Sequence, residues 1–154
     1  MGFLTSPSHT SSSIQRLRKV FIVDDHRLMI MGIRFLLEDE TDFVICGSAD
    51  NADDAMEWIP VYTPEIVILD ISIKGTVDGI ALAEMLKDAY PHIIILMLSM
   101  HDEATYGPRA MSAGASGYLN KSDAPELLVK ALRHIIDGED FFTAERVREH
   151  LRIA

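Results

Sequence analysis

Asp70 closes the apolar run Ile66-Val67-Ile68-Leu69, and a carboxylate in that place is costly unless it has a partner or a chemical role. Asp24 and Asp25 close Val20-Phe21-Ile22-Val23 in the same way. Ser99 closes Ile93-Ile94-Ile95-Leu96-Met97-Leu98, and Lys121 follows Gly117-Tyr118-Leu119-Asn120. Each run reads as a buried strand, and in a parallel sheet their ends share one edge, where open α/β sheets bind ligands. Clustered carboxylates must share a proton or hold a cation. Three aspartates without a Cys/His ligand set favour a hard, oxygen-seeking ion, and Mg²⁺ fits best. Lys121 adds a compact positive charge for a phosphate oxygen, and Ser99 a hydroxyl for another. A carboxylate can attack phosphorus to give an aspartyl-phosphate. Nucleophile, cation, ammonium and hydroxyl together suit phosphoryl transfer to Asp70. Taken singly, each has a plain structural role: an Asp-Asp N-cap, a turn serine, a solvated lysine. The weight lies in their recurrence at successive strand ends.

The elements that must position these groups alternate. Met29, Gly32, Ile33 and Leu36 carry helical spacing, as do Ala52, Ala55, Met56 and Ile59. Leu82, Met85, Leu86 and Ala89 form a third such face, with Pro91 beyond its end. Leu128, Ala131, Leu132 and Ile135 form the last, with Gly138 as the stop. Short strands alternating with such helices predict a parallel sheet covered on both faces, in one domain over residues 18–138. Gly107-Pro108 interrupts the fourth helical pattern, so the regular helix is expected to begin near Pro108 after a longer loop. Residues 1–17, polar and rich in Ser and Thr, read as a flexible tail. Residues 139–154 read as an extension, with Phe141 and Phe142 before a short helix from Thr143 to about Leu151.

With 154 residues, nearly half of them apolar, the chain can build one real core. The net charge of −10 argues against nucleic-acid binding by this piece. No apolar stretch nears the roughly 20 residues that span a bilayer, and the start lacks a secretory pattern. The single cysteine, Cys46, has no internal disulfide partner and reads as a small buried hydrophobe. These features point to the cytoplasm and to no membrane partner. The histidines His9, His26, His92, His134 and His150 show no ligand spacing, and Trp58 is expected to be a packing residue.

The pieces Val23-Asp24-Asp25-His26, Ile68-Leu69-Asp70-Ile71, Asp78-Gly79, Leu98-Ser99 and Gly114-Ala115-Ser116-Gly117-Tyr118-Leu119-Asn120-Lys121 carry a specific likeness. Over residues 19–138 the chain resembles the response-regulator receiver domain of two-component signalling. Its Asp-Asp-His opening and Gly-Ala-Ser-Gly-Tyr-Leu segment are similar to the NarL/FixJ-type subfamily. The resemblance implies a flavodoxin-like, doubly wound, five-stranded parallel sheet in the order 2-1-3-4-5, with helices on both faces. It implies Asp70 as phosphoacceptor and Mg²⁺ held by Asp70, by Asp25 and by the backbone carbonyl of Ser72, with Asp24 acting through a water. It makes Lys121 the partner of the phosphoryl group, Ser99 a hydrogen-bond donor to it, and Tyr118 a rotameric switch that follows Ser99. It implies a histidine kinase or phosphotransfer protein as partner, a homodimer on phosphorylation, and self-phosphorylation and self-dephosphorylation rather than enzymatic turnover. The extension at 139–154 resembles the connector to an output domain, so a C-terminal DNA-binding domain controlling transcription is expected, against a stand-alone receiver or an interaction module indifferent to phosphorylation.

Departures from the family pattern surround the site. Ile73-Lys74 stands where Met-Pro is usual, and Asp78-Gly79 comes one residue late. Lys74 reads as a solvated lysine, with the phosphoryl group as its other destination. Ser122 replaces the usual proline after Lys121, so no cis bond is expected there. Ser72 and His101, each two residues past a site residue, occupy positions that tune phosphoryl lifetime in the family. An aspartate-dependent phosphatase would need a second Asp where Ser72 stands, and a dinucleotide site a Gly-rich turn where Asp24-Asp25-His26 stands.

Overall fold

The computed structural model describes residues 16–143, so most of the tail and of the terminal extension lies outside the described residues. Among the described residues five strands and five helices alternate: β1 Arg18–Val23, α1 Arg27–Glu38, β2 Phe43–Ala49, α2 Ala52–Tyr62, β3 Ile66–Leu69, α3 Gly79–Ala89, β4 Ile94–Ser99, α4 Glu103–Ser112, β5 Gly117–Asn120 and α5 Ala124–Ile136. All strand pairs are parallel, in the order β2-β1-β3-β4-β5, which is the flavodoxin-like arrangement. A single 3-10 turn, Lys121–Asp123, joins β5 to α5.

Alternation along the strands decides which helix covers which face. Val20, Ile22, Ile66, Ile68, Leu96, Leu98 and Leu119 meet Ile33 and Leu37 of α1 and Leu128, Ala131, Leu132 and Ile135 of α5. Their neighbours Phe21, Val23, Val67, Leu69, Ile95, Met97 and Tyr118 face the other way, onto residues of α2, α3 and α4. β3 is buried on both sides, as a central strand must be.

Register then sets the chemistry. Val23 pairs with Leu69 and Leu69 with Met97, so β1, β3 and β4 come to one edge together. The Asp24 amide donates to the Ala49 carbonyl and the Asp70 amide to the Val23 carbonyl, carrying the ladder one step further. Asp24 and Asp70 therefore leave the sheet side by side. On the far side Ser99 pairs with Asn120, which places Lys121 next along the edge.

Three expectations need correction. The fourth helix begins at Glu103, not Pro108, and Pro108 lies inside it. Asp102 serves as N-cap residue, and its carbonyl accepts from the Tyr106 amide, so the first turn closes before the proline is reached. Pro108 removes one internal bond, the one its own N–H would give to the Ala104 carbonyl, and the rest of the helix continues. Trp58 is 42% exposed on α2, with Tyr62 as its ring neighbour among the described residues at 6.2 Å, so it is a surface residue rather than a core one. Cys46 is only partly buried: β2 shifts register between its partners Val20 and Phe21, leaving Cys46 as the extra residue, its thiol directed to the Val20 carbonyl.

The described part of the extension is not a loose connector. Phe141 accepts from the Tyr118 amide and donates to the Ser116 carbonyl, forming a parallel bridge on the outer edge of β5. Phe142 is buried in the same core as Tyr118. The Thr143 hydroxyl donates to the Glu103 carboxylate at the start of α4. The short helix expected beyond Thr143 lies outside the described residues, and among those described no helix is long and apolar enough to cross a membrane.

Candidate functional site

Asp70 is only 3% exposed, held by its place at the end of β3. Its Oδ2 accepts from Lys121 Nζ at 2.9 Å. Asp24, equally buried, brings its own Oδ2 to 2.9 Å from the same ammonium. One lysine thus faces two buried carboxylates, with Asp25 beside them. Burial pushes the Asp70 carboxyl above its ordinary range, against the pull of Lys121 and with the push of Asp24. Burial works to lower the Lys121 ammonium, but hydrogen bonds to Asp24 and Asp70 outweigh it and leave the group raised. The lysine is therefore a fixed positive charge at neutral pH.

The loop after β3 shapes the other side of Asp70. The Ser72 amide points to Asp70 Oδ1 at 3.4 Å, a long contact that leaves this oxygen open. Ser72 Oγ lies 2.7 Å from His101 Nε2, linking this loop to the one after β4. The turn back into α3 needs Gly79, because a Cβ there would sit 1.9 Å from the Asp70 carbonyl oxygen. Asp78 caps α3 by accepting from the Ala81 amide.

Ser99 and Tyr118 form a second layer around His101. Ser99, fully buried, accepts from the His101 amide at 3.2 Å. The Tyr118 hydroxyl donates to the His101 carbonyl at 2.8 Å. Its ring is buried, and burial pushes the phenol up to about 12. One backbone unit is thus held from both sides.

Two residues gain detail beyond their reading in the sequence. Lys74 is an exposed lysine, as read, with a partner: its ammonium is 3.1 Å from Asp50 Oδ2 and its amide bonds the Asp50 carbonyl, tying the loop after β3 to the end of β2. His26, whose spacing to other histidines gave no signal, sits inside the acidic cluster. Its Nδ1 lies 3.1 Å from Asp24 Oδ1, 3.0 Å from Asp25 Oδ1 and 3.9 Å from Asp70 Oδ2. The signal was its place directly after Asp24-Asp25, where the chain turns back over the sheet edge.

Asp24, Asp25, His26 and Asp70 each offer a ligand atom, all within 4.8 Å of one another. Asp25 Oδ1 is buried and accepts no hydrogen bond among the described residues. A buried anionic oxygen without a donor is costly, and a cation removes the cost. The donor set, rich in carboxylate oxygen at the mouth of a sheet, fits a hard divalent ion.

Comparison with known proteins agrees with this geometry. Residues 20–133 match the family described as response regulator receiver domain. The response regulator UvrY of Escherichia coli is 32% identical over 126 residues, covering 82% of this chain and 57% of that protein. The transcriptional regulatory protein DegU of Brevibacillus brevis is 28% identical over 139 residues, covering 88% and 58%. The chain thus spans little more than half the length of these relatives. Among solved structures, the isolated receiver domain of RcsB from Salmonella enterica serovar Typhimurium, in the presence of a BeF₃⁻ phosphomimetic, superposes with a TM-score of 0.78 at 27% identity, over 87% of this chain and 98% of that one.

Proposed function

The chain belongs to the response regulator receiver domain family, a family of phosphoacceptor signalling domains, and from that premise we propose that Asp70 takes a phosphoryl group from the phosphohistidine of a histidine kinase or phosphotransfer protein. The observation that carries this reading is the buried Asp70 carboxylate, with Oδ2 held by Lys121 and Oδ1 left open. Oδ1 attacks phosphorus, the P–N bond to the donor imidazole breaks, and the imidazole leaves with the bonding pair and takes a proton from solvent. Asp25, Asp70, the Ser72 carbonyl and, through a water, Asp24 would hold Mg²⁺, which when bound offsets the negative charge gathering on the phosphoryl oxygens. Lys121 exchanges part of its contact with Asp70 for a phosphoryl oxygen.

The switch follows from the bonds around His101. When the Ser99 hydroxyl turns to a phosphoryl oxygen it leaves the His101 amide, and the loop that Tyr118 holds by the His101 carbonyl is freed to move. The phosphoryl group makes a contact in one state that it lacks in the other, which is what shifts a two-state equilibrium. The affected surface is α4, β5 and α5. Leu28, Met31 and Phe35, all exposed on α1 beside the site, offer an apolar face for the donor protein. Residues 18–138 are the receiver, and we infer that the residues from 139 onward lead to an output domain that binds DNA and controls transcription, in keeping with the longer relatives. A homodimer on phosphorylation and action in the cytoplasm belong to the same reading.

The test is incubation with Mg²⁺ and acetyl phosphate followed by intact mass. A gain of about 80 Da, the mass of one phosphoryl group, is expected in the wild type. It should be absent without Mg²⁺ and absent in Asp70→Asn. An equal gain in Asp70→Asn would sink the assignment.

A further inference from the structure

β1 lies between β2 and β3 in the sheet, yet the segments that follow β2 and β3 meet beyond its end: Asn51 and Lys74 form an isolated parallel bridge. The Lys74 amide donates to the Asp50 carbonyl at 3.1 Å, and the Lys74 ammonium reaches Asp50 Oδ2 at 3.1 Å. The other carboxylate oxygen of Asp50 accepts from Asn51 Nδ2 at 2.7 Å. Asn51 in turn caps α2 by accepting from the Asp54 amide. Lys74 is thereby joined, through Asp50 and Asn51, to the first turn of a helix. It lines one cleft with Asp24, Asp25 and Asp54, yet among the described residues its ammonium pairs with Asp50. The chain just before it is anchored too. Ile71 and Ile73 are buried in the core, and the Gly79 amide donates to the Ile71 carbonyl at 2.7 Å. Ser72 stands between these two anchored isoleucines, two residues from the tie at Lys74.

We propose that Lys74 and Asp50 are positioning residues for phosphoryl transfer: their tie between the end of β2 and the loop after β3 sets where the Ser72 carbonyl stands against Asp25 and Asp70. The inference rests on the proposed reading of Asp70 and its metal site and deepens it, adding no ligand. The physical basis is the narrow geometry that Mg²⁺ accepts, which penalises a misplaced oxygen more than a flexible ion would. The buried isoleucines fix the loop against the core, and the tie fixes it along the sheet edge. An exposed ion pair adds little to the stability of a fold, so the tie acts on the placement of this loop and not on the domain. A lysine that served only to screen the acids of the cleft would act with the opposite sign, because its positive charge opposes a divalent cation.

Calorimetric titration with Mg²⁺ of the wild type, Lys74→Ala, Asp50→Ala and the double variant separates the tie from simple charge. Lys74→Ala removes a positive charge from the cleft, and charge alone would tighten Mg²⁺ binding. Asp50→Ala removes a negative one, and charge alone would weaken it. The tie predicts weaker binding in both, by about threefold, the scale that an exposed ion pair reaches. The double variant is expected to lose no more than either single one, because each has already cut the tie. In the metal-free protein the Lys74 amide, whose acceptor is the Asp50 carbonyl, should exchange faster in Asp50→Ala, while urea midpoints stay at the wild-type value. Unchanged or tighter Mg²⁺ binding in Lys74→Ala overturns the proposal and leaves the lysine a solvated or screening charge. Losses that add in the double variant, or a Lys74 amide that exchanges as in the wild type, overturn it as well. In each of these cases loss of Mg²⁺ in Asp25→Asn keeps the metal site standing. No Mg²⁺ binding by the wild type overturns both this inference and the metal part of the proposed function.

Discussion

Asp70 pays for its chemistry in stability, and the sign can be worked out. Its folded carboxyl is raised above the ordinary 3.8, chiefly by burial. Between that value and the folded one, the native protein keeps a proton that the unfolded chain has released. Stability therefore falls as pH rises through this window, because the native state binds more protons there. Asp70→Asn removes the titration and leaves Lys121 paired with Asp24. In the absence of divalent ions, the variant is expected to melt higher than the wild type at neutral pH. The gap should close as pH falls below the ordinary carboxylate range. Thermal unfolding followed by circular dichroism from pH 3 to pH 8 checks this, and a gap that widens on acidification would contradict it. A raised Lys121 acts at the other end of the scale: its ion pairs stabilise below the ordinary 10.5 and are lost as pH climbs through the folded value.

At the scale of elements, two tests separate what positions the site from what merely connects it. Gly79 lets α3 start against the Asp70 backbone, where a Cβ would meet the Asp70 carbonyl oxygen at 1.9 Å and its carbon at 2.7 Å. Backbone atoms cannot rotate aside, so Gly79→Ala must displace the loop that carries Ser72. We expect a loss of about 3 kcal/mol in urea unfolding and a strong drop in phosphoryl uptake from acetyl phosphate. Pro108 is the opposite case. Inside α4 it costs one internal hydrogen bond, partly offset by a stiffer unfolded chain. Pro108→Ala should therefore add about 1–2 kcal/mol in the same assay while leaving phosphoryl uptake intact. A loss of stability would show that the ring itself is needed in the packing of α4.

Those two positions also mark how far the sequence could be read. Apolar runs ending in Asp, Ser or Lys expose the strands and the convergence of the site, because burial and period are written residue by residue. The Asp78-Gly79 pair is visible as part of a family likeness, but its reason, contact with the Asp70 carbonyl, is a distance between segments and has no local signal. Pro108 misled because a local rule lost to tertiary packing: Gly107 and Ala110 of α4 are buried, and that burial holds the helix through the proline. His26 was hidden for a related reason, since its partners are aspartates brought round by a turn rather than histidines at ligand spacing. Trp58 shows the converse, a large apolar residue at a helical position that the fold leaves on its surface.

For the molecule as a whole, the question is how a change near Asp70 could reach beyond residue 138. The described segment gives a route. The backbone of Phe141 bonds the Tyr118 amide and the Ser116 carbonyl, Phe142 is only 6% exposed, and Thr143 bonds Glu103 of α4. The extension is thus seated on the two elements that border His101, the unit held by Ser99 and Tyr118. Phe142 anchors this seat, and its loss leaves a cavity in the core shared with Tyr118. Phe142→Ala is expected to cost about 3 kcal/mol of global stability. It should also loosen the seat locally, before the domain unfolds. Amide hydrogen exchange distinguishes the two effects. The Tyr118 amide, whose acceptor is the Phe141 carbonyl, should lose protection well beyond the global change, while the Val67 amide in the central strand should track the global change alone. Equal loss at both amides would mean that the extension and the sheet open only together, and that residues 141–143 belong to the core rather than coupling the site to the proposed output domain.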